Sequence, residues 1–235
     1  MRHILLCLSV GIVAPAVSAQ SVCNETIGGP GQDQALSAIP TQDGGYALVG
    51  WTNSFGAGGW DLYLVKTDAQ GAIEWTRTYG GPGDEADCSI EQLPDGGYII
   101  ASRTNSSGVG STDILMLRTE ADGALRWART YGGTEWEEGH AVCSGDDDDL
   151  YVVGYTESFG AGAQDIAVMR LDGEGVPQWA RTFGTSASER GHKVQRLPGG
   201  DLLIACETLG AGAGGWDLLL LRVAATGDLI WSKTY

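Results

Sequence analysis

The chain has few basic residues. Its 14 lysines and arginines stand against 30 aspartates and glutamates, which gives a formal net charge of -16. A field of this sign repels nucleic-acid phosphates and anionic lipid headgroups. After the N-terminus the sequence also lacks an apolar run of the roughly 18 residues that a membrane helix needs. Nucleic-acid binding and membrane insertion are therefore not expected.

Sequence signatures of catalysis and of helices are missing as well. No Gly-x-Ser-x-Gly, His-Glu-x-x-His or phosphate-binding loop occurs. After residue 20 no stretch repeats apolar residues at i, i+3, i+4 and i+7, which predicts a fold with almost no helix. The sequence thus indicates no catalytic residue, no cofactor and no metal centre.

The first 19 residues have the three parts of a secretory signal. A basic start at Arg2 and His3 precedes the apolar stretch 4–14 and the small-residue site Val17-Ser18-Ala19. This order predicts a signal peptide over 1–19, with cleavage before Gln20. No lipid-attachment sequence precedes Cys23. We expect a protein that is secreted, periplasmic or on the cell surface.

Four cysteines remain after the signal peptide, because Cys7 is removed with it. They are Cys23, Cys88, Cys143 and Cys206. An exported compartment permits disulfides, but the positions are widely scattered in apolar strand contexts. Buried thiols and disulfide bridges both remain open.

One period of 52 residues runs through the rest of the chain. It is marked by Trp75, Trp127, Trp179 and Trp231, and equally by Asp61, Asp113, Asp165 and Asp217. The units are 28–79, 80–131, 132–183 and 184–235, and the segment 20–27 aligns with the end of a unit. Glycine-punctuated repeats of this length predict the blades of a β-propeller.

Each unit contains four predicted strands, which are clearest in the first unit at 35–39, 46–52, 61–67 and 73–79. The third is almost continuously apolar, whereas the fourth alternates between apolar and polar residues, as a half-exposed strand does. A single sheet of this kind cannot bury both faces, so neighbouring blades must stack. The predicted fold is all-β, with four four-stranded antiparallel propeller blades.

The repeat resembles that of a known group of proteins. Thr-Tyr-Gly-Gly, Asp-Gly-Gly-Tyr and Gly-x-Gly-x-x-Asp-x-x-x-x-Lys-x-Asp-x-x-Gly-x-x-x-Trp are similar to the β-propeller repeats of secreted and cell-surface bacterial proteins. The resemblance covers all four units, and its strongest form is 43–79. It implies a propeller fold and an extracytoplasmic location, and no particular reaction.

The strand count leaves one strand over. The segment 21–27 aligns with a fourth strand, yet the last unit already has its own at 230–235. Two arrangements fit this count. The chain is either an arc of a larger ring, completed by further blades or by self-association, or a closed four-bladed ring.

Residues that recur in every unit are interpreted as blade-building devices. The aspartates of the 52-residue period are expected to accept backbone N–H bonds from the glycine-rich loops. A second set of carboxylates is expected to pair with a basic set, one ion pair per blade. These sets are Asp33, Glu85, Glu137 and Glu189, and Arg77, Arg129, Arg181 and Lys233. The recurring tryptophans are assigned to the core.

Positions where the units differ are better places to look for function. One position of the first strand reads Leu36, Cys88, His140 and His192, a nitrogen and sulfur set that suits a metal only if separate blades bring it within bonding distance. The acidic run 146–149 replaces a turn, and is either a solvated loop tip or a calcium ligand set.

The favoured function is a non-catalytic binding or display scaffold for a protein or a glycan. Loops between second and third strands share one rim with the connections between blades, and this rim carries Phe55, Trp60, Trp136, Phe159 and Trp216. Flat aromatic faces beside carboxylates suit sugars or peptides. The alternative is a propeller enzyme, because the Asp-x-x-Gly-x-x-x-Trp segments resemble sialidase Asp-boxes and quinoprotein docking motifs.

Overall fold

The computed structural model describes residues 26–235. The predicted signal peptide, Cys23 and most of the predicted strand 20–27 lie outside the described residues. Thr26 and Ile27, the end of that segment, belong to no strand.

Residues 26–235 form sixteen strands and no helix. Blade 1 comprises β1 (Asp33–Pro40), β2 (Tyr46–Thr52), β3 (Asp61–Thr67) and β4 (Ile73–Tyr79). Blade 2 comprises β5 (Glu85–Gln92), β6 (Tyr98–Thr104), β7 (Asp113–Thr119) and β8 (Leu125–Tyr131). Blade 3 comprises β9 (Glu137–Ser144), β10 (Leu150–Thr156), β11 (Asp165–Leu171) and β12 (Pro177–Phe183). Blade 4 comprises β13 (Glu189–Arg196), β14 (Leu202–Thr208), β15 (Asp217–Val223) and β16 (Leu229–Thr234). Within this part of the chain there is no helix that could span a membrane.

Each blade is a sheet in which the four strands pair in chain order, all antiparallel. Tight turns make this meander possible. Between β3 and β4, Gly71 takes a positive φ of 87°, a conformation that glycine adopts at little cost. The side chain of Asp68 accepts the N–H groups of Gln70 and Ala72, which fixes the turn. Local residue chemistry therefore determines the strand order of a blade.

Consecutive blades stack through their faces. The first strand of each blade contacts the first three strands of the blade before it: β5 contacts β1 to β3, β9 contacts β5 to β7, and β13 contacts β9 to β11. Three apolar cores fill the three junctions. This stacking makes the chain an all-β propeller structure of four blades, as its repeat predicts.

Blade 4 does not pack against blade 1 in this way. No strand of blade 4 makes contacts with a strand of blade 1 like those that join consecutive blades. The four described blades therefore form an open arc. The alternative of a closed four-bladed ring is not what the described residues adopt.

The recurring aspartates cap the glycine-rich loops. Asp61 accepts the backbone N–H of Ala57 at 3.0 Å, and Asp113 accepts that of Val109 at 2.9 Å. Burial raises the pKa of Asp113, with the negative charge of Glu137 adding to the effect. The prediction that these carboxylates accept backbone hydrogens is confirmed for blades 1 to 3, where Asp165 makes the same bonds.

The predicted ion pair within each blade is wrong. The second carboxylate set instead bonds hydroxyl and backbone groups: Glu137 accepts from Gly133 N, Thr156 Oγ1 and Ser158 N. The basic residues lie over the recurring tryptophans, as Arg129 lies over Trp127. Side chains two positions apart on a strand share one face, so each cation meets the ring of its own strand.

Among residues 26–235, Cys88, Cys143 and Cys206 are buried and form no disulfide with one another. Burial raises the pKa of each thiol to about 12. These three cysteines are structural side chains in the blade cores, since a reactive cysteine needs accessible thiolate. Cys23 lies outside the described residues.

Candidate functional site

The first strand of every blade carries a β-bulge. Pairing with the second strand skips Leu36 in blade 1, Asp87 and Cys88 in blade 2, His140 in blade 3 and His192 in blade 4. A bulge re-aims the side chain of the unpaired residue. The bulges therefore re-aim the side chains of one variable repeat position.

These residues line a single cavity of about 570 Å³, which we call the axial cavity. All four blades contribute to it through their first strands. Its lining residues are Leu36, Asp87, Cys88, Glu138, His140, Tyr155, Arg190, His192 and Lys193. The variable repeat position that the sequence singled out thus lies on this cavity, where the four blades meet.

The rings of His140 and His192 are stacked on the wall of this cavity. Their centroids are 5.4 Å apart and their planes differ by 5°. His140 Nδ1 lies 2.9 Å from the Gly191 carbonyl oxygen, and Nε2 lies 2.9 Å from Glu138 Oε2. Both partners are hydrogen-bond acceptors, so whichever ring nitrogen carries a proton has an acceptor within reach.

Glu138 connects this histidine to the rim. Burial by itself would raise the pKa of Glu138, but hydrogen bonds from His140 and Trp136 and the charge of Arg103 lower it overall. The pKa of the neighbouring Tyr155 hydroxyl is raised, chiefly by burial and further by the charge of Glu138. A carboxylate and a neutral phenol thus stand side by side.

The blade 4 side of the cavity carries two basic side chains, Arg190 and Lys193, within a protein of net charge -16. Arg190 lies 3.6 Å and His192 lies 3.3 Å from Glu207. Lys193 is exposed, and no carboxylate of residues 26–235 lies within ion-pair distance of it. An anionic group that entered the cavity would meet this edge.

Two of the five predicted aromatic residues, Trp136 and Trp216, each contact a charged residue that lines the axial cavity. We call the part of the surface that they form with Glu138 and Arg190 the mouth. The Trp136 indole N–H donates to Glu138 Oε1 at 2.7 Å, and Arg103 lies over the same ring at 5.8 Å. Trp216 lies under Arg190 at 5.0 Å. Both tryptophans are exposed, so each joins a free aromatic surface to a charged residue of the mouth.

The other three predicted aromatic residues lie against their own blades. Trp60 stacks on Trp51 with centroids 4.7 Å apart, and Phe55 contacts Tyr63 at 5.6 Å. Phe159 lines a separate wedge between blades 2 and 3. The structure therefore groups Trp136 and Trp216 with the cavity and leaves Phe55, Trp60 and Phe159 on the loops.

Sequence reasoning missed Arg103, Glu138, Tyr155 and Arg190. The information was present in the repeat, because these residues occupy two further positions at which the units differ. The positions read Gln34, Ala86, Glu138, Arg190 and Trp51, Arg103, Tyr155, Glu207. The two sets face each other across β1 and β2 and their equivalents.

The structure does not assemble either predicted ligand set for a metal. Within residues 26–235 no group of three or more His, Cys, Asp or Glu side chains is arranged to hold an ion. The acidic run is tied to arginines instead: Asp149 pairs with Arg170 at 2.6 Å, and Asp146 pairs with Arg196. The guanidinium groups of these arginines thus neutralise the two carboxylates, in the place that a metal ion would take.

Comparisons with known proteins return only matches of low sequence identity. No protein-family model matches the chain. An arabinanase of Bacillus subtilis superposes with a TM-score of 0.47 and 12% identity, covering 84% of this chain and 75% of the arabinanase. A puromycin hydrolase gives a TM-score of 0.47 and 20% identity over 87% of this chain and 31% of its own.

One curated relative is similar in sequence. The regulatory protein FlaEY of Caulobacter vibrioides is 24% identical over an alignment of 154 residues that covers 55% of this chain. The chain spans only 16% of the length of that relative. The similarity therefore concerns a part of FlaEY.

Proposed function

We propose that this chain is an extracytoplasmic, non-catalytic binding scaffold that holds a glycan or a peptide at the mouth of its axial cavity. One observation carries the proposal. Residues that build the blades recur in every unit, whereas the residues that line the axial cavity below the mouth vary between the blades. A lining that served only to build blades would be expected to repeat with them.

The basic side chains beside the mouth favour a ligand that carries a negatively charged group. Trp136 and Trp216 offer exposed aromatic faces of the kind that pack against sugar rings or apolar peptide side chains. Lys193, Arg190 and the His192 ring lie together on one side. A carboxylate on an acidic sugar or a peptide satisfies that side, since a charged hydrogen bond is worth about 1.5–3 kcal/mol.

The location is tested by the mature N-terminus. The sequence of 1–19 supports export, and we expect protein recovered from the native host to begin at Gln20. Mass analysis of the purified material measures this directly. A product that retains Met1 and stays in the cytoplasm would contradict the proposed location.

Replacing Trp136 and Trp216 together with alanine tests the site. After the parent protein has identified a ligand on glycan and peptide arrays, we expect the double variant to bind it about 100-fold more weakly, as loss of two aromatic anchors does. Calorimetry or surface plasmon resonance measures the dissociation constant.

The double variant Phe55→Ala and Phe159→Ala is the matched control, because those rings lie on loops away from the cavity. We expect it to change the dissociation constant by less than about threefold. The proposal fails if the control variant loses as much affinity as the test variant. It also fails if the parent binds nothing on the arrays but turns over a glycoside or an alcohol.

A further inference from the structure

Three blade junctions in this chain are built alike. In each, the second residue of the third strand is covered by the first strand of the next blade. A Cβ on Gly139 of blade 3 would lie 2.8 Å from Ile114 Cγ2 of blade 2, and Gly191 of blade 4 approaches Ile166 in the same way. The covered residues, Leu62, Ile114 and Ile166, are 0%, 3% and 0% exposed.

Blade 4 carries the same face without a cover. Leu218 occupies the position of those three residues and is 55% exposed. Its neighbours on that face, Leu203, Ala205 and Leu220, are half-buried, whereas their blade 2 counterparts Ile99, Ala101 and Met116 are fully buried. Blade 4 therefore carries one half of a junction core, formed by its second and third strands, and no described blade covers it. We call this the leading half.

Blade 1 carries the complementary half of a junction core, on the face that points away from blade 2. We call this the trailing half. Tyr46 is 46% exposed, whereas Tyr98, at the equivalent position in blade 2, is 1% exposed. Tyr98 belongs to the core that joins blade 2 to blade 1. The face of blade 1 that carries Tyr46 thus resembles a face that a preceding blade would cover.

Contacts at the turns repeat in the same manner. Trp75 and Arg77 of blade 1 lie so close to the turn of blade 2 that a Cβ on Gly123 would be 2.7 Å from the Trp75 ring. The Tyr79 hydroxyl donates to the Gly123 carbonyl at 2.6 Å. The matching turn of blade 1 is empty: no atom of residues 26–235 lies within 4 Å of a Cβ built on Gly71.

Main-chain hydrogen bonds close each junction at the rim. The N–H of Glu85 donates to the carbonyl of Trp60 at 2.6 Å, and Glu137 and Glu189 donate equivalently to the blades before them. The open ends hold the same two groups, the Trp216 carbonyl and the Asp33 N–H, which are not joined to each other. Beside Trp216, the buried Oδ2 of Asp217 lacks a hydrogen-bond partner among the described residues.

We propose that the open faces bind a second copy of this chain, head to tail, so that two arcs close into one ring of eight blades. Each copy supplies the leading half of one new junction and the trailing half of the other, and two copies leave neither half uncovered. Eight blades lie within the usual range of about four to eight.

The test is the mass of the protein in solution, measured by light scattering and by native mass spectrometry. We expect twice the mass of one chain at micromolar concentration. Leu218→Arg places a charge on the leading half, and Tyr46→Arg places one on the trailing half. Each variant is expected to weaken self-association by about 100-fold or more.

Leu125→Arg is the matched control. Leu125 is 50% exposed in blade 2 although both junctions of that blade are formed, so its exposure does not depend on a missing neighbour. We expect this variant to remain a dimer. Circular dichroism and thermal melts establish that each arginine variant is folded.

Mixing the two variants decides the geometry. A head-to-tail arrangement leaves one native junction between a Tyr46→Arg copy and a Leu218→Arg copy, so the mixture is expected to recover heterodimers that neither variant forms alone. Two results would overturn the proposal. The first is a parent protein that stays monomeric and folded. The second is a Tyr46→Arg variant that dimerises normally, because that result indicates a symmetric contact between two copies of blade 4. Ligand binding by a monomer leaves the proposed function standing.

Discussion

Replacing Glu137 with alanine is expected to lower the free energy of unfolding by about 3 kcal/mol. The Glu137 carboxylate is 2% exposed and accepts three hydrogen bonds, from Gly133 N at 2.6 Å, Thr156 Oγ1 at 2.8 Å and Ser158 N at 3.0 Å. Alanine removes the shared acceptor of these three donors at the junction of blades 2 and 3, where only Ser158 N keeps a second acceptor, Thr156 Oγ1. Denaturant unfolding and a melt, expected to shift by about 6–12 °C, measure the loss.

Two further variants separate this cause from general damage. Glu135→Ala removes an exposed carboxylate from the same connection, and we expect a change within about 0.5 kcal/mol. Glu137→Gln keeps one acceptor oxygen but turns an amide donor towards one of the donors, so an intermediate loss is expected. An unaltered melt of Glu137→Ala, with ligand binding lost, would assign Glu137 to the binding site instead.

The role of Glu137 shows how far the repeat could be interpreted from the sequence. Every unit carries a threonine 19 residues after its acidic residue, as Thr156 follows Glu137. In the sheet these two are cross-strand partners. The ion-pair hypothesis considered only the charges of the recurring residues. It did not consider the recurring threonine, whose hydroxyl is the group that bonds the carboxylate.

The strands themselves follow from periodicity. In blade 1 the predictions 46–52, 61–67 and 73–79 match β2, β3 and β4, because turn residues bound apolar segments whose alternation is clear. The first strand extends beyond the predicted 35–39 at both ends. It includes a bulge, which breaks the alternation on which the prediction relied.

The same bulge explains why the site was only half visible in the sequence. Register decides which face a side chain occupies, and a shift of one residue reverses it. The four units place Leu36, Cys88, His140 and His192 at one repeat position, but nothing in the sequence states that this position is unpaired. Their convergence on one cavity is a consequence of blade stacking, which depends on long-range contacts.

Arg190 is expected to be the most important single residue for binding. Its guanidinium lies over Trp216 at 5.0 Å and over Tyr155 at 5.4 Å, and its Nε donates to Gln164 Oε1 at 2.6 Å. It therefore holds the aromatic mouth and the positive edge in one arrangement. Removing it deletes a charge and releases the Trp216 ring.

We expect Arg190→Ala to weaken ligand binding by about 100-fold, and Arg190→Lys to recover only part of that loss, because an ammonium group lacks the planar stacking surface of a guanidinium. Arg181→Ala is the control, since Arg181 lies over Trp179 at 5.9 Å in the same kind of pair but on the outer strand of blade 3. Titration calorimetry with the array-identified ligand measures all three variants. If the Arg190→Ala and Arg181→Ala variants bound the ligand with equal affinity, the ligand would not bind at the mouth.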